Sequence, residues 1–237
     1  MYVEFDIPEI TEYKAGFPGY WLKSLFIRAP SDRYQINALT STYIRLVEAA
    51  LIEYQSGSLK LREYWNTHSS INLGAMHRSM SHFEACISNM HRAINCFRRL
   101  RRDRGQDPLS LHLSSDRAGF AAEAVAERLR QMRNEVHHLE EMVLDGRIAN
   151  GQQFALGPNG PEVPHPTETN QTIKTIDRIV IGNSEIKFGE IAAWLNEMAA
   201  FAAKITGYLP SSSGESNEET SAQHLYGLRL SRKKRLL

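Results

Sequence analysis

Apolar positions repeat with a helical period along most of the chain and with a period of two in one short stretch. Over 34–55, Ile36, Leu39, Tyr43, Val47, Ala50 and Tyr54 fall on one face, and Gly57 reads as the stop. Over 70–102 the pattern is the most regular, with Met76, Met80, Phe83, Ile87, Met90, Ile94, Phe97 and Leu100 at spacings of three and four. Over 115–144, Phe120, Val125, Leu129, Met132, Val136, Leu139 and Val143 continue it; Ser114 or Ser115 is placed to cap the start and Gly146 to end it. A last helix is predicted over 190–206, with Ile191, Trp194, Leu195, Met198, Phe201 and Ile205 inward and Gly207 as its stop. Before it the period changes. Ile179 and Ile181, then Gly182-Asn183, then Ile186 and Phe188 read as a β-hairpin over 176–188.

The remaining segments lack either period. Residues 146–172 are rich in Gly, Pro, Asn and Gln and read as a long loop. Residues 1–33 form an irregular arm rich in aromatics (Tyr2, Phe5, Phe17, Tyr20, Trp21, Phe26), expected to pack on the body, with a lid over a site as the lesser reading. Residues 209–237 read as a flexible basic tail, since "PSSSGESNEETSAQ" has too little apolar surface to order itself. The expected fold is therefore all-α: a bundle of four to five helices over 34–208, with a small β-hairpin inserted before the last helix.

Composition changes this picture little. The chain has 237 residues, 42% of them hydrophobic and 23% charged, and a net charge of +1, so no global field selects nucleic acid as a partner. Cys86 and Cys96 are ten apart in one predicted helix. That separates them by about 15 Å, beyond the reach of a disulfide. Free thiols point to a reducing compartment, and a cytoplasmic location is expected. No leader pattern or membrane-spanning apolar run is visible.

Candidate chemistry concentrates in "MRNEVHHLEE", residues 132–141. On a helical wheel defined by Met132, Val136, Leu139 and Val143, Arg133 lies about 80° from the buried direction and His137 about 40° further round. These two are neighbours at i, i+4. His138 points nearly opposite the core. Arg133-Asn134-Glu135-Val136-His137-His138 resembles the Arg-x4-His signature of the HEPN superfamily, the higher eukaryotes and prokaryotes nucleotide-binding domains. The polar residue after the arginine and the late helix of a bundle match that pattern.

The resemblance implies a metal-independent endoribonuclease of the kind found in bacterial toxin, antiphage and CRISPR-linked systems. It implies a homodimer whose two signature helices share one cleft, and RNA as substrate. A cognate antitoxin or regulatory protein is a further partner of that class. The residue types suit the reaction: RNA carries its own 2′-OH nucleophile, imidazole moves protons near neutral pH, and a guanidinium matches phosphate oxygens. Arg133 would stabilise the transition state. The resemblance gives His138 the catalytic role, whereas helix geometry brings His137 closer to Arg133; Asn134 would position the phosphate or one imidazole. No cofactor and no metal site is expected. The same signature also fits a noncatalytic relative that dimerises or binds a nucleotide or partner.

Two other clusters bear on this reading. His77, Glu84, His91 and Arg98 recur every seven residues. Steps of about 10 Å are too long for one metal ion, so the stripe reads as a hydrated or interhelical edge that would join the cleft if it borders the signature helix. "FRRLRRDRG" contributes Arg98, Arg99, Arg101, Arg102 and Arg104. A helix dipole accounts for one or two of them, and a phosphate-contact surface for RNA is the other reading. The terminal "RLSRKKRLL" reads as a solvated tail, a nonspecific nucleic-acid arm or a docking segment.

Overall fold

A computed structural model describes residues 1–10, 17–26, 30–65, 72–103, 107–147 and 154–208. The tail over 209–237, Arg104, and parts of the arm and of the 146–172 loop lie outside the described residues. In chain order the elements are β1 (Tyr2–Phe5), α1 (Pro18–Phe26), α2 (Tyr34–Trp65), α3 (Leu73–Arg102) and α4 (Pro108–Ser114). A 3-10 turn (Gly119–Ala121), α5 (Glu123–His137) and α6 (Leu139–Leu144) follow. Then come β2 (Phe154–Pro158), β3 (Val163–Pro164), β4 (Thr172–Ile181), β5 (Ser184–Lys187) and α7 (Phe188–Gly207). The fold is mainly helical, but all-α is too strong: among the described residues five strands form a mixed sheet.

The long helices α2 and α3 lie antiparallel, as the pair Arg33–Asp103 at one end and the pair Glu53–His82 further along show. The expected stop at Gly57 does not occur, and α2 runs on to Trp65. Gly57 instead marks a close helix crossing. A Cβ there would meet the Phe83 ring at 3.2 Å, and Ser79 Oγ donates to the Gly57 carbonyl at 2.7 Å. The α3 stripe from Met80 to Leu100 is buried as its spacing predicts. It meets Tyr43 of α2, Phe120 and Phe201 in an aromatic cluster centred on Phe97, with centroids 4.9–5.3 Å away.

The single helix expected over 115–144 is broken into pieces. Ser115 is the C-cap of α4 rather than an N-cap, and the N-cap of α5 is Ala122. α4 itself starts on Asp107, which accepts from the Leu109 amide at 2.9 Å, with Pro108 as the first helical residue. Gly146 ends the last piece as predicted. It adopts φ 65°, and the Gly146 and Arg147 amides bond back to Val143 and Met142 in a Schellman arrangement.

The hairpin forms at the predicted place, with Ile179 facing Ile186 and Ile181 facing Ser184. It belongs to a larger sheet centred on β4. β2 and β3, inside the expected loop, pair antiparallel with β4, and β1 of the expected irregular arm pairs with it in parallel, Tyr2 opposite Ile173. Ile7, Ile10, Phe17 and Tyr20 of the arm are buried in the main core. Among the described residues no helix is long and apolar enough to cross a membrane.

Candidate functional site

α5 carries the signature on the side of the bundle next to α3. Arg128 fixes it from below: its guanidinium is bidentate on Glu190 of α7 (2.6 and 3.0 Å) and also donates to the Glu185 carbonyl of β5 at 2.9 Å. Further along, Arg133 is half-buried and its Nη1 donates to Asn134 Oδ1 at 3.2 Å. His137 and His138 are both exposed.

The helix breaks inside the signature. His138 is at once the C-cap of α5 and the residue before α6, with φ −111° and ψ 16°. Its Nδ1 lies 3.2 Å from Glu141 Oε2. Among the described residues no hydrogen bond joins Arg133 to His137 or to His138. One copy of the chain therefore displays the guanidinium and the two imidazoles on one end of α5 without assembling them.

The buried direction also differs from the wheel. Leu129, Met132, Glu135 and Met142 are buried, whereas Val143 is exposed. Glu135 is the unexpected member. Its carboxylate accepts from the Asn183 amide (3.0 Å), the Ser184 amide (3.0 Å), Ser184 Oγ (2.7 Å) and Gln131 Nε2 (3.3 Å). It thus clamps the hairpin turn onto the signature helix. Gly182 makes room for the clamp: at φ 57°, a Cβ would lie 2.8 Å from Glu135 Oε2. The sequence signal for Glu135 is its place three residues after Met132 and seven before Met142, on the core stripe.

The seven-residue stripe of α3 does border α5. Arg98 pairs with Glu123 at the start of α5, and His91, further back on α3, lies within reach of the Arg133 and Arg130 charges. Burial, and then the charges of Arg133 and Arg130, hold the His91 imidazole below its ordinary value, which favours a neutral ring. Its Nδ1 is buried without a partner, and its Nε2 sits 3.1 Å from Asn95 Nδ2. Glu84, one step further, is pushed up by burial. Arg130 itself is held by Glu127, Nε to Oε2 at 2.8 Å. Among the described residues no three His, Cys, Asp or Glu side chains gather closely enough to hold a metal ion.

The arginine run of α3 divides between two faces. Arg98, Arg101 and Arg102 line a groove of about 450 Å3 with Ala121 of the 3-10 turn. Arg99 acts instead on half-buried Cys96: burial raises that thiol, and the charges of Arg99, Arg92 and Arg45 oppose the rise. Cys86 is fully buried and both thiols are free. No family model, curated protein or solved structure matches this chain.

Proposed function

We propose that the chain is a HEPN-like, metal-independent endoribonuclease that works as a homodimer on single-stranded or loop RNA. The observation that carries the reading is the grouping at the end of α5. Arg133 and Asn134 are half-buried and bonded to each other, His137 and His138 stand exposed beside them, and the charge of Arg133 is felt by His91 of α3. The exposed imidazoles face solvent, where a second copy has access.

The chemistry follows from those groups. The 2′-oxygen attacks the adjacent phosphorus, the bond from phosphorus to the 5′-oxygen breaks, and a 2′,3′-cyclic phosphate and a free 5′-OH result. His138, with His137 beside it, takes the 2′-OH proton and supplies one to the leaving oxygen. Arg133 offsets the charge that builds on the phosphoryl oxygens, and Asn134 orients the phosphate. Arg98, Arg99, Arg101 and Arg102 supply cationic contacts for the strand. Flexible RNA suits in-line attack better than a duplex does.

The test is incubation of labelled RNA with the protein in EDTA. Products ending in 2′,3′-cyclic phosphate are expected. Arg133→Ala and His138→Ala should each reduce cleavage at least about 100-fold, the usual scale for losing a proton-transfer or charge-stabilising group. Both variants should keep the wild-type melting temperature. Full activity in both excludes the mechanism. A second reading, a noncatalytic dimerisation or partner-binding protein, is favoured by the pairing of His138 with Glu141 rather than with Arg133. Intact RNA with measurable binding selects it, and inhibition of a cognate enzyme would make the chain an antitoxin or regulatory subunit.

A further inference from the structure

The groove between the end of α3 and the 3-10 turn gathers cations and leaves one of their donors without an acceptor. Three guanidiniums, Arg98, Arg101 and Arg102, line it with the methyl of Ala121. Arg101 is held in place: its Nη2 donates to the Ser114 and Asp116 carbonyls at 3.4 and 3.2 Å, and the guanidinium carbon stands 5.7 Å from the Phe97 ring centre. Its Nε remains buried with no acceptor. A buried donor without a partner is rare and calls for water or an anion. Arg98 is paired with Glu123, whose side chain is 77% exposed. Arg102 is exposed. The opposite wall is fixed as well, because Glu197 of α7 accepts from the Gly119 and Phe120 amides at 2.6 and 2.8 Å.

We infer that this groove is a phosphate-binding site, taking a phosphate group carried either by a nucleic-acid strand or by a small phosphorylated molecule. A helix dipole explains cations in a last turn. It does not explain why a guanidinium pinned by two carbonyls, with one donor left unused, lines a cavity together with two more guanidiniums. Planar forks match phosphate oxygens in pairs, and a fork already immobilised loses little freedom on binding. Among the described residues no aromatic ring lines the groove, so what they offer suits the phosphate and not a base. The site shares its chemistry with the proposed ribonuclease but does not rest on it. Glu123 and Arg133 are ten residues apart on α5, about 15 Å along the helix, and binding in the groove needs neither the histidines nor a second copy.

Titration calorimetry with pyrophosphate, and separately with a single-stranded 2′-O-methyl RNA 10-mer, which has no 2′-OH to react, at low salt, tests the site on the full chain. Saturable binding of at least one probe is expected. Arg102→Gln should weaken it about 10-fold or more, the scale of one charge-assisted hydrogen bond. Arg101→Gln should do the same if its melting temperature is unchanged. Arg92→Gln, an exposed arginine of the same helix outside the groove, should bind like wild type. Pyrophosphate binding that RNA does not displace assigns the small-molecule source, and mutual displacement assigns the strand. No saturable binding of either probe, or equal weakening by Arg102→Gln and Arg92→Gln, overturns the inference. RNA cleavage is not read in any arm, so failure of the cleavage mechanism leaves the result intact.

Discussion

Glu135 does more for this molecule than its place inside a candidate catalytic motif suggests. Its carboxylate holds two amides and a hydroxyl of the hairpin turn. Glu135→Ala strands those donors against the helix, and hydrogen bonds to a charged acceptor are each worth more than neutral ones. We expect a loss of about 3 kcal/mol in urea unfolding; Glu135→Gln keeps one acceptor oxygen and should lose less. A loss under about 0.5 kcal/mol in the alanine variant would mean that the turn stands without the clamp. His91 makes a prediction of another kind. Its folded pKa lies below the unfolded value of 6.5 because of burial and of Arg133 and Arg130. Its contribution to stability is therefore present above pH 6.5 and declines as pH falls through the folded value. An NMR titration should place the His91 midpoint below 6.5, and Arg133→Gln should raise it. An unmoved midpoint in that variant would show that the two side chains do not sense each other. At this scale the sequence exposed Arg133, His137, His138 and the α3 stripe as polar positions. It did not reveal which of them meet, because partners such as Arg98 and Glu123 lie on different helices.

Among the elements, helix boundaries mark where local rules yielded. Gly57 carries a stop signal, yet α2 continues through it because the missing side chain lets the Phe83 ring and Ser79 approach. Gly57→Leu would put atoms where the ring now sits. Overpacking of this kind costs about 2 kcal/mol, which thermal unfolding would register, and a stability equal to wild type would mean that α3 moves aside freely. The opposite error occurs at His138, where α5 ends with neither Pro nor Gly nearby. The hairpin turn rests on Glu135 before the break and on Met142 after it, since a Gly182 Cβ would meet both. That contact comes from residues at least 40 positions away and has no local trace. α4 was missed for another reason: it is too short for a periodic pattern, although Asp107-Pro108 supplies an N-cap followed by a residue suited to the first helical turn.

Across the whole molecule, one aromatic centre joins the helices. Phe97 is fully buried among Tyr43, Phe120 and Phe201. Phe97→Ala should destabilise the chain by about 4 kcal/mol in denaturant titration. A loss below about 1 kcal/mol would deny that the cluster is central. The sheet shows the limit of sequence reading most plainly. Alternation and Gly182-Asn183 marked β4 and β5, because a hairpin is a local structure whose turn chemistry is written in adjacent residues. β1 left no such mark, since it pairs in parallel with a strand some 170 residues later. The sequence by itself determined the long amphipathic helices, the hairpin and the polar face of α5, all of which follow from the spacing of side chains along a backbone of known period. Only the tertiary structure decided that β4 gathers four other strands, that Glu135 turns inward and that three arginines face one groove. Those outcomes depend on contacts between distant segments, whose energies are absent from any local pattern.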